Sequence, residues 1–507
     1  MTQKDTISRP KARIPRGLRD IDADEARGLS AMLAVVSQVY ESWGFEPLDT
    51  AILEYADALG HFLPDQDRPN EGVFALQDDD GQWLALRYDL TAPLARYVAA
   101  HYDELPKPFR RYQWGTVFRN EKPGPGRFRQ FMQIDADSVG APVMVADAEL
   151  CAVAAACMES LGVPRRRYVV GLNNRQVLDG VLETLGLDPK AADFAARRLG
   201  VLRAIDKWDR LGEKGVADLL GEGRKDASGD FTPGACLDAG SIDKVLAFVR
   251  LKGVSHGNLC DQLEALVGNS ETGRAGVMAL REIIDLLPAF GCDARCVAID
   301  PSIVRGLGYY TGPVFEVRLG EGRVQDAVGG GGRYDDMVRR FKGISVPAVG
   351  FSMGVSRLYA ALQEQKMKKE NLLQGPVVVL RLGEENAASS VTMAQELRVA
   401  GIRAEAYVGG GGMRAQLKYA DKRAAPIAVI EGDDERARQS VTVKDLALGA
   451  SLAIDISDNE EWRTTGVAQT SLPRAQLVEG VRAILDRQRE TASSVDSTST
   501  VSSDKCT

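Results

Sequence analysis

"FRNEKPGPGRFRQFMQIDAD", residues 118–137, holds two strand-like segments on either side of a loop of prolines and glycines. After the loop, the polar residues Gln133, Asp135 and Asp137 alternate with Met132, Ile134 and Ala136. A strand turns successive side chains to opposite faces, so the polar groups share one face and the apolar groups the other. Before the loop, in "GTVFRNE" (115–121), Arg119 and Glu121 share a face with Val117. Upstream, "ALRYDLT" (85–91) would set Arg87, Asp89 and Thr91 against Leu86, Tyr88 and Leu90. Each such strand, taken singly, reads as a solvent-exposed sheet face.

The glycines change that reading. "RGLGYYTG" (305–312) sets an arginine and two tyrosines among three glycines. "VGGGGRYDD" (328–336) places four glycines after a strand-like run. Bare backbone in a sheet weakens it but lets a ligand come close, so the two stretches suggest a ligand floor, against the plainer reading of a flexible turn. "AVGFSMGVSRLYAAL" (348–362) reads as a strand followed by a helix from about Val355, with Arg357 in its first turn. A cation there opposes the helix dipole, which suggests an anionic ligand at the helix start.

Around these stretches the pattern predicts a helix over 25–42, ended by Gly44, and strands at Gln82–Leu90, Phe109–Arg119, Arg127–Ala136, Tyr168–Leu172, Val314–Leu319 and Arg323–Val328. Several follow one another without helices between them, so the sheet should be largely antiparallel. The division expected is a first part of the main domain at 1–172, a helical insertion at 173–298, and a second part at 299–365. A linker at 366–374 and a small α/β domain at 375–490, with mainly parallel pairing, follow. The tail 491–507 is mostly Ser, Thr, Val and Asp and is expected to be disordered.

Composition sets the class. The 507 residues are 44% hydrophobic and 26% charged, with net charge −8, ordinary for a soluble globular chain. No apolar run approaches the ~20 residues of a membrane span, and the N-terminal stretch has no apolar core of a secretory signal. A cytoplasmic location is therefore expected. The seven cysteines form no C-x-x-C pair, which argues against zinc. The three histidines sit in no motif, so acid–base work by histidine is not expected.

These motifs, in this order from "PRGLRD" (15–20) to about residue 485, resemble the histidyl-tRNA synthetases, bacterial-type class II aminoacyl-tRNA synthetases. Residues 118–135 look like class II motif 2, "GFSMGVSRL" (350–358) like motif 3, and the two glycine stretches like the histidine-specific signatures. The resemblance implies an α+β fold: a class II antiparallel sheet flanked by helices, an α-helical insertion and a C-terminal α/β anticodon-binding domain. It implies activation of L-histidine with ATP and Mg²⁺ and its transfer to histidine tRNA by a homodimer. By carry-over, Arg305, Arg119 and Arg357 are the catalytic arginines. Asp89, Thr91 and Gln133 would hold the ammonium and backbone end of histidine. Asp137 and Tyr310 would hold the ring, with Tyr309 and Tyr334 lining the pocket. Arg119, Glu121, Arg127 and Arg357 would hold ATP; no metal ligands are assigned. Ala51, where proline is usual, touches a detail of the dimer interface. Gly308 and Ser356 stand where acids are common. One rival is the synthetase-like regulatory subunit of ATP phosphoribosyltransferase, which typically lacks the anticodon domain. A class II synthetase for another amino acid is the other.

The loop "KPGPGRF" (122–128) departs further. In class II enzymes it approaches the tRNA acceptor end, and reading a base edge needs donors or acceptors. Gly124, Pro125 and Gly126 supply no such side chain; Lys122 and Arg127 can serve phosphates alone. Reading of an extra 5′ guanosine should thus be weakened and specificity moved toward the anticodon. Removing that nucleotide from a tRNA transcript should cost less than about a hundredfold in aminoacylation, the worth of one good base contact. Anticodon changes should cost more; the opposite ranking would refute the reading.

Overall fold

The computed structural model describes residues 11–62, 72–124, 128–187, 194–225, 229–253, 255–304, 310–320, 327–364, 375–383, 385–449 and 468–500. The chain divides into two units, Met1–Lys369 and Glu370–Thr507. The first runs α1 (Ala23–Ser42), β1 (Glu46–Pro47), β2 (Leu53–Tyr55), β3 (Ala75–Gln77), β4 (Trp83–Leu86), α2 (Thr91–Ala100), β5 (Phe109–Phe118), β6 (Gln130–Val139), α3 (Val145–Ser160) and β7 (Tyr168–Asn174). Next come α4 (Arg175–Thr184), α5 (Phe194–Ile205), α6 (Trp208–Leu220), the paired strands β8 (Gly223–Lys225) and β9 (Phe231–Pro233), α7 (Ala239–Arg250), α8 (His256–Val267) and α9 (Glu271–Leu286). The unit closes with β10 (Val297–Ile299), β11 (Pro313–Leu319), β12 (Gly329–Arg333), α10 (Arg339–Lys342), β13 (Ala348–Gly354) and α11 (Val355–Glu364).

Eight strands form one sheet in the order β1-β5-β6-β13-β12-β11-β7-β10. Only its outer pairs, β1–β5 and β7–β10, are parallel; the other five pairings are antiparallel, as the sequence pattern predicts. Cross-strand neighbours share a face. One row reads Gln113, Asp135, Ser352, Gly330, Glu316. The row beside it reads Arg111, Asp137, Gly350, Gly332, Val314. The opposite face carries Tyr112, Ile134, Ala136, Phe351, Met353, Phe315 and Val317, all buried in the main core with residues of α1, α3 and α11.

Helix α1 shows how that core is built. Asp22 caps it, accepting from the Asp24 and Glu25 N–H groups at 3.1 and 2.9 Å. Leu29, Met32, Leu33, Val36 and Tyr40 then bury one stripe, each worth roughly 1.5–3 kcal/mol when fully buried. Gly44, at φ +79°, ends the helix as expected. Helix α3 is buried almost all round because Ala and Cys fill it, the pattern of an interior helix.

The glycine run is itself the strand β12, rather than a turn after one. The expected strand Arg323–Val328 falls largely at 321–326, outside the described residues. Parity gives the glycines two tasks. Gly329 and Gly331 face the core, where the Phe315 and Phe351 rings lie with centroids 6.0 Å apart. A Cβ on Gly331 would sit 2.1 Å from the Gly350 carbonyl oxygen and 2.7 Å from the Phe315 ring. Gly330 and Gly332 face the polar side.

Other expectations change. Strand β4 stops at Leu86, and Asp89 Oδ1 accepts from Thr91 and Ala92 N–H at 3.1 and 2.9 Å. Asp89 therefore caps α2, a stronger local preference than continuing a strand, and Arg87, Asp89 and Thr91 share no strand face. Strand β6 starts at Gln130 rather than 127 and continues to Val139. Asn173–Asn174 and Val297–Ala298, expected in the insertion, belong to the sheet strands β7 and β10.

The second unit runs β14 (Val377–Val379), α12 (Ala387–Val399), β15 (Ala404–Ala406), α13 (Met413–Lys422), β16 (Ile427–Ile430), α14 (Asp433–Ala437), β17 (Ser440–Asp445), β18 (Gln469–Pro473) and α15 (Leu477–Thr500). Its sheet has the order β15-β14-β16-β17-β18, with the first two pairings parallel and the last two antiparallel. Pairing is thus half parallel, because only the short α14 separates β16 from β17 and the chain returns alongside. Helix α15 runs to Thr500, into the stretch whose composition leads to the expectation of a disordered tail. Adding residues to a formed helix costs little once it is nucleated, and Thr491 Oγ1 donates back to the Arg487 carbonyl at 2.9 Å. The expected linker 366–374 and residues 501–507 lie outside the described residues.

Gly331→Val should destabilise the first unit by about 2 kcal/mol or more, because backbone and a packed ring both block the new side chain. Gly330→Ala, which would meet only the Phe315 carbonyl oxygen at 3.3 Å, should cost far less. Urea unfolding midpoints measure both, and equal midpoints would contradict the packing argument.

Candidate active site

The polar face of the sheet is dense with buried ionisable groups. Asp137 is 2% exposed and Arg111 0%. The Arg111 Nη2 lies 2.9 Å from Asp137 Oδ2 and donates to the Leu90 carbonyl at 3.0 Å. The buried Tyr334 hydroxyl donates to Asp137 Oδ1. Gly350 is bare because a Cβ there would lie 2.0 Å from that same oxygen. Burial raises the Asp137 carboxyl above its usual range, and Arg111 and Tyr334 oppose the rise.

Asp135 is also 2% exposed. Burial first, and then the Asp137 charge, push it up to about 8, against the pull of Arg111 and a hydrogen bond with Ser352. Gln133 donates to Ser352 Oγ at 3.2 Å. Asp135 Oδ1, Asp137 Oδ2 and Gln133 Oε1 are all buried without a hydrogen-bond partner.

Arg119 follows β5 at the edge of this face. Its guanidinium lies 4.4 Å from the centre of the Tyr88 ring and 5.2 Å from that of Phe131, a cation–π seat that holds a charge without neutralising it. The Tyr88 hydroxyl donates to Glu121 at 3.4 Å. Burial raises the Asp89 carboxyl, opposed by the Ala92 N–H and by Arg119 nearby. Arg357 stands in the first turn of α11, as expected, and donates to the Ala327 carbonyl at 3.1 Å. Tyr310 packs beside Gly332.

The structure therefore brings Gln133, Asp137, Tyr334 and Tyr310 to one face and sets Asp89, Thr91, Arg119 and Glu121 at its rim. Arg127, Arg305 and Tyr309 lie outside the described residues. Ala51 is exposed, and Ser356 Oγ accepts from Met132 N–H at 3.1 Å. Sequence reasoning missed Arg111, Gln113 and Ser352 as members of the polar face. Parity applied to "RYQWG" (111–115) would have found the first two. Among the described residues, no group of three or more His, Cys, Asp or Glu side chains could hold a metal ion.

Comparison with known proteins gives this face a family. Residues 17–358 match the profile described as histidyl-tRNA synthetase, and 376–484 match the anticodon binding domain. The chain belongs to the histidyl-tRNA synthetase family. A histidine–tRNA ligase of Brucella ovis is 53% identical over 494 residues, 96% of this chain and 98% of that protein. The crystal structure of histidyl-tRNA synthetase from a Nostoc species matches 94% of this synthetase-family chain and all of that chain, at 28% identity and TM-score 0.71. A Bacillus halodurans structure described as an ATP phosphoribosyltransferase regulatory subunit/histidyl-tRNA synthetase covers 81% of this chain and 97% of its own, at 20% identity and TM-score 0.64, and speaks for the fold alone.

In this synthetase fold Asp135 carries a stability cost with a definite sign. Its folded value lies above that of an unfolded aspartate, so between the two the folded state holds the extra proton. Stability then falls as pH rises, by about 1.4 kcal/mol per pH unit for one proton. Asp135→Asn removes the penalty. Its melting temperature should exceed wild type at pH 7.5, and the gap should shrink toward pH 5. A gap independent of pH would contradict the assignment.

Proposed function

We propose that the chain attaches L-histidine to its cognate tRNA in two steps. First, a histidine carboxylate oxygen attacks the α-phosphorus of ATP, and pyrophosphate leaves. Then a hydroxyl of the terminal tRNA ribose attacks the carbonyl of the adenylate, and AMP leaves. The observation that carries the reading is the buried polar sheet face in a chain matched by this family from 17 to 358 and by the anticodon binding domain from 376 to 484.

The first step joins two anions, so positioning and charge neutralisation dominate it. Arg119, seated on Tyr88 and Phe131, bridges the carboxylate and the α-phosphate, with Arg305 as the second guanidinium. Arg357 holds the γ-phosphate and Arg127 assists it; Glu121 meets the adenine. Arginine suits these tasks because it stays charged and grips oxyanions with two N–H groups. Asp89, Thr91 and Gln133 receive the ammonium end of histidine. Asp137, Tyr310 and Tyr334 close the ring end, with Tyr309 flanking. Mg²⁺ would accompany ATP and offset the charge of its phosphates; no residue of this chain is assigned to hold it.

The regulatory-subunit reading is not favoured, since the anticodon binding domain is present and Arg119, Arg305 and Arg357 are retained. A homodimer is supported by one surface. Leu53, Tyr55 and Leu76, on one face of the small β2-β4-β3 sheet, are each exposed, and apolar patches of this kind commonly mark an interface. No helix among the described residues is long and apolar enough to cross a membrane, in keeping with a cytoplasmic enzyme.

ATP–pyrophosphate exchange tests the reading. Exchange should require histidine, and Arg119→Ala or Arg305→Ala should lower its rate by about 10²–10³ while the melting curve stays near wild type. Exchange with another amino acid but not histidine would overturn the function; wild-type exchange by both variants would overturn the roles.

A further inference from the structure

The segment "PRGLRD" (15–20) has no task in the reaction above, yet it is bound to the hairpin that carries Arg119. Its first four residues form a turn. Leu18 N–H donates to the Pro15 carbonyl at 3.1 Å, and Gly17 holds φ +83°. A positive φ at the third position is that of a type II turn, which favours glycine there. The turn presents two carbonyls to one residue. Gly17 O accepts from the Arg129 N–H at 2.8 Å, and Arg16 O accepts from Arg129 Nη1 at 3.4 Å. Arg129 passes the contact on. Its carbonyl accepts from the Arg119 N–H at 2.9 Å, and its Nε donates to the Glu121 carbonyl at 2.8 Å. The turn is thus linked through Arg129 to the backbone of both Arg119 and Glu121.

Arg19 supplies a second hold. Its guanidinium lies 4.5 Å from the centre of the Phe128 ring. It also grips the Glu25 carboxylate through both Nη atoms, Nη1 at 2.6 Å. Such a two-pronged pair fixes direction as well as distance. Glu25 stands in the first turn of α1, whose apolar stripe lies in the main core, so Phe128 is tied to a fixed helix. Gly17 fits against both limbs of the loop. A Cβ there would lie 2.9 Å from the Arg129 side chain and 3.2 Å from that of Pro123. Except for Glu25, each of these partners belongs to the hairpin of 119–129.

We propose that Pro15–Arg19 is a clamp at the base of the 122–128 loop that holds Arg119 and Glu121 where they meet ATP, with Gly17 and Arg19 as its positioning residues. Gly17 acts through Arg129, and Arg19 acts through Phe128; neither touches ATP. The role rests on the reading above, in which Arg119 meets the α-phosphate and Glu121 the adenine. Histidine is received by other elements, with Asp89 and Thr91 at the start of α2 and Gln133 and Asp137 on β6. Loosening the clamp should therefore weaken the use of ATP far more than the binding of histidine.

The test is ATP–pyrophosphate exchange by the full-length protein, with ATP and histidine varied in turn. Gly17→Ala is strained at φ +83° and pressed against Arg129. It should lower kcat/KM for ATP by about 10²-fold, the usual effect of displacing a reacting group by about 1 Å, and leave KM for histidine near wild type. Arg19→Ala should lower kcat/KM for ATP by about 2–5-fold, as expected for losing a cation over an exposed ring. Arg19→Lys keeps a cation there and should recover most of that loss; the Arg19 variants serve if Gly17→Ala does not fold. Hydrogen exchange read by mass spectrometry gives a second measure. In Gly17→Ala and Arg19→Ala the peptide 119–131 should exchange faster while α1 stays as in wild type. A lower melting temperature with wild-type kcat/KM for ATP would reveal a clasp for stability alone and overturn the proposal. Equal losses toward ATP and histidine, or unchanged exchange at 119–131, would overturn it too. Failure of the wild type to exchange with histidine, or a wild-type rate in Arg119→Ala, would overturn the underlying reading instead.

Discussion

The fully buried ion pair of Arg111 and Asp137 is the interaction on which the catalytic sheet depends. Taking two charges out of water is expensive, and the cost is recovered only when both are also hydrogen-bonded. Here the pair recruits its neighbours. Arg111 reaches the Leu90 carbonyl, which fixes the entry to α2. Asp137 takes the Tyr334 hydroxyl, which fixes the chain leaving β12. Opposite Asp137, the sheet has no room for any residue but Gly350. A second buried pair, Arg333 with Asp147, ties the end of β12 to α3. Removing one partner of such a pair typically costs about 3–5 kcal/mol, so the geometry of the polar face and the stability of the sheet are hard to separate.

The same face holds carboxylates that work against the fold. Asp135 is raised by burial and by its like-charged neighbour, and Asp137 and Asp89 are raised as well. A core of apolar residues would avoid these costs. Groups with strongly perturbed ionisation gather where a ligand will supply the missing partner, and a zwitterionic amino acid brings the needed cation and N–H donors. On the proposed function, histidine is the zwitterion that meets these carboxylates.

Much of this was legible in the residues alone. The alternation in "FMQIDAD" gave the two faces of β6, because a strand's period of two leaves no freedom once one face is buried. Motif resemblance gave the family, and the strand-then-helix pattern of 348–362 placed Arg357 at the start of α11. Legibility failed where a local preference competed with a longer pattern. Asp89 caps a helix, and a capping aspartate and a strand aspartate look alike in a seven-residue window. Arg111 stayed unseen because a lone arginine in a strand carries no motif; only the register against Asp137 reveals its partner. The glycines of β12 were read as one feature, yet parity splits them between ring packing in the core and a bare polar face. Helix α15 is anchored in the core by Leu477 and Val481 and continues past its apolar stripe into the Ser- and Thr-rich end.

Strand order also has a consequence for synthesis. β6 hydrogen-bonds along one edge to β5, its immediate predecessor, and along the other to β13, which the ribosome makes roughly two hundred residues later. At translation speeds of roughly 5–20 residues per second, that edge waits on the order of ten to forty seconds for its partner. An unpaired strand edge invites pairing with other chains, and inward-pointing charges are a known defence against it. Asp135 and Asp137 are costly in the finished sheet, whereas an aspartate in water is ordinarily ionised at neutral pH. The two aspartates are charges of that kind on the edge that waits.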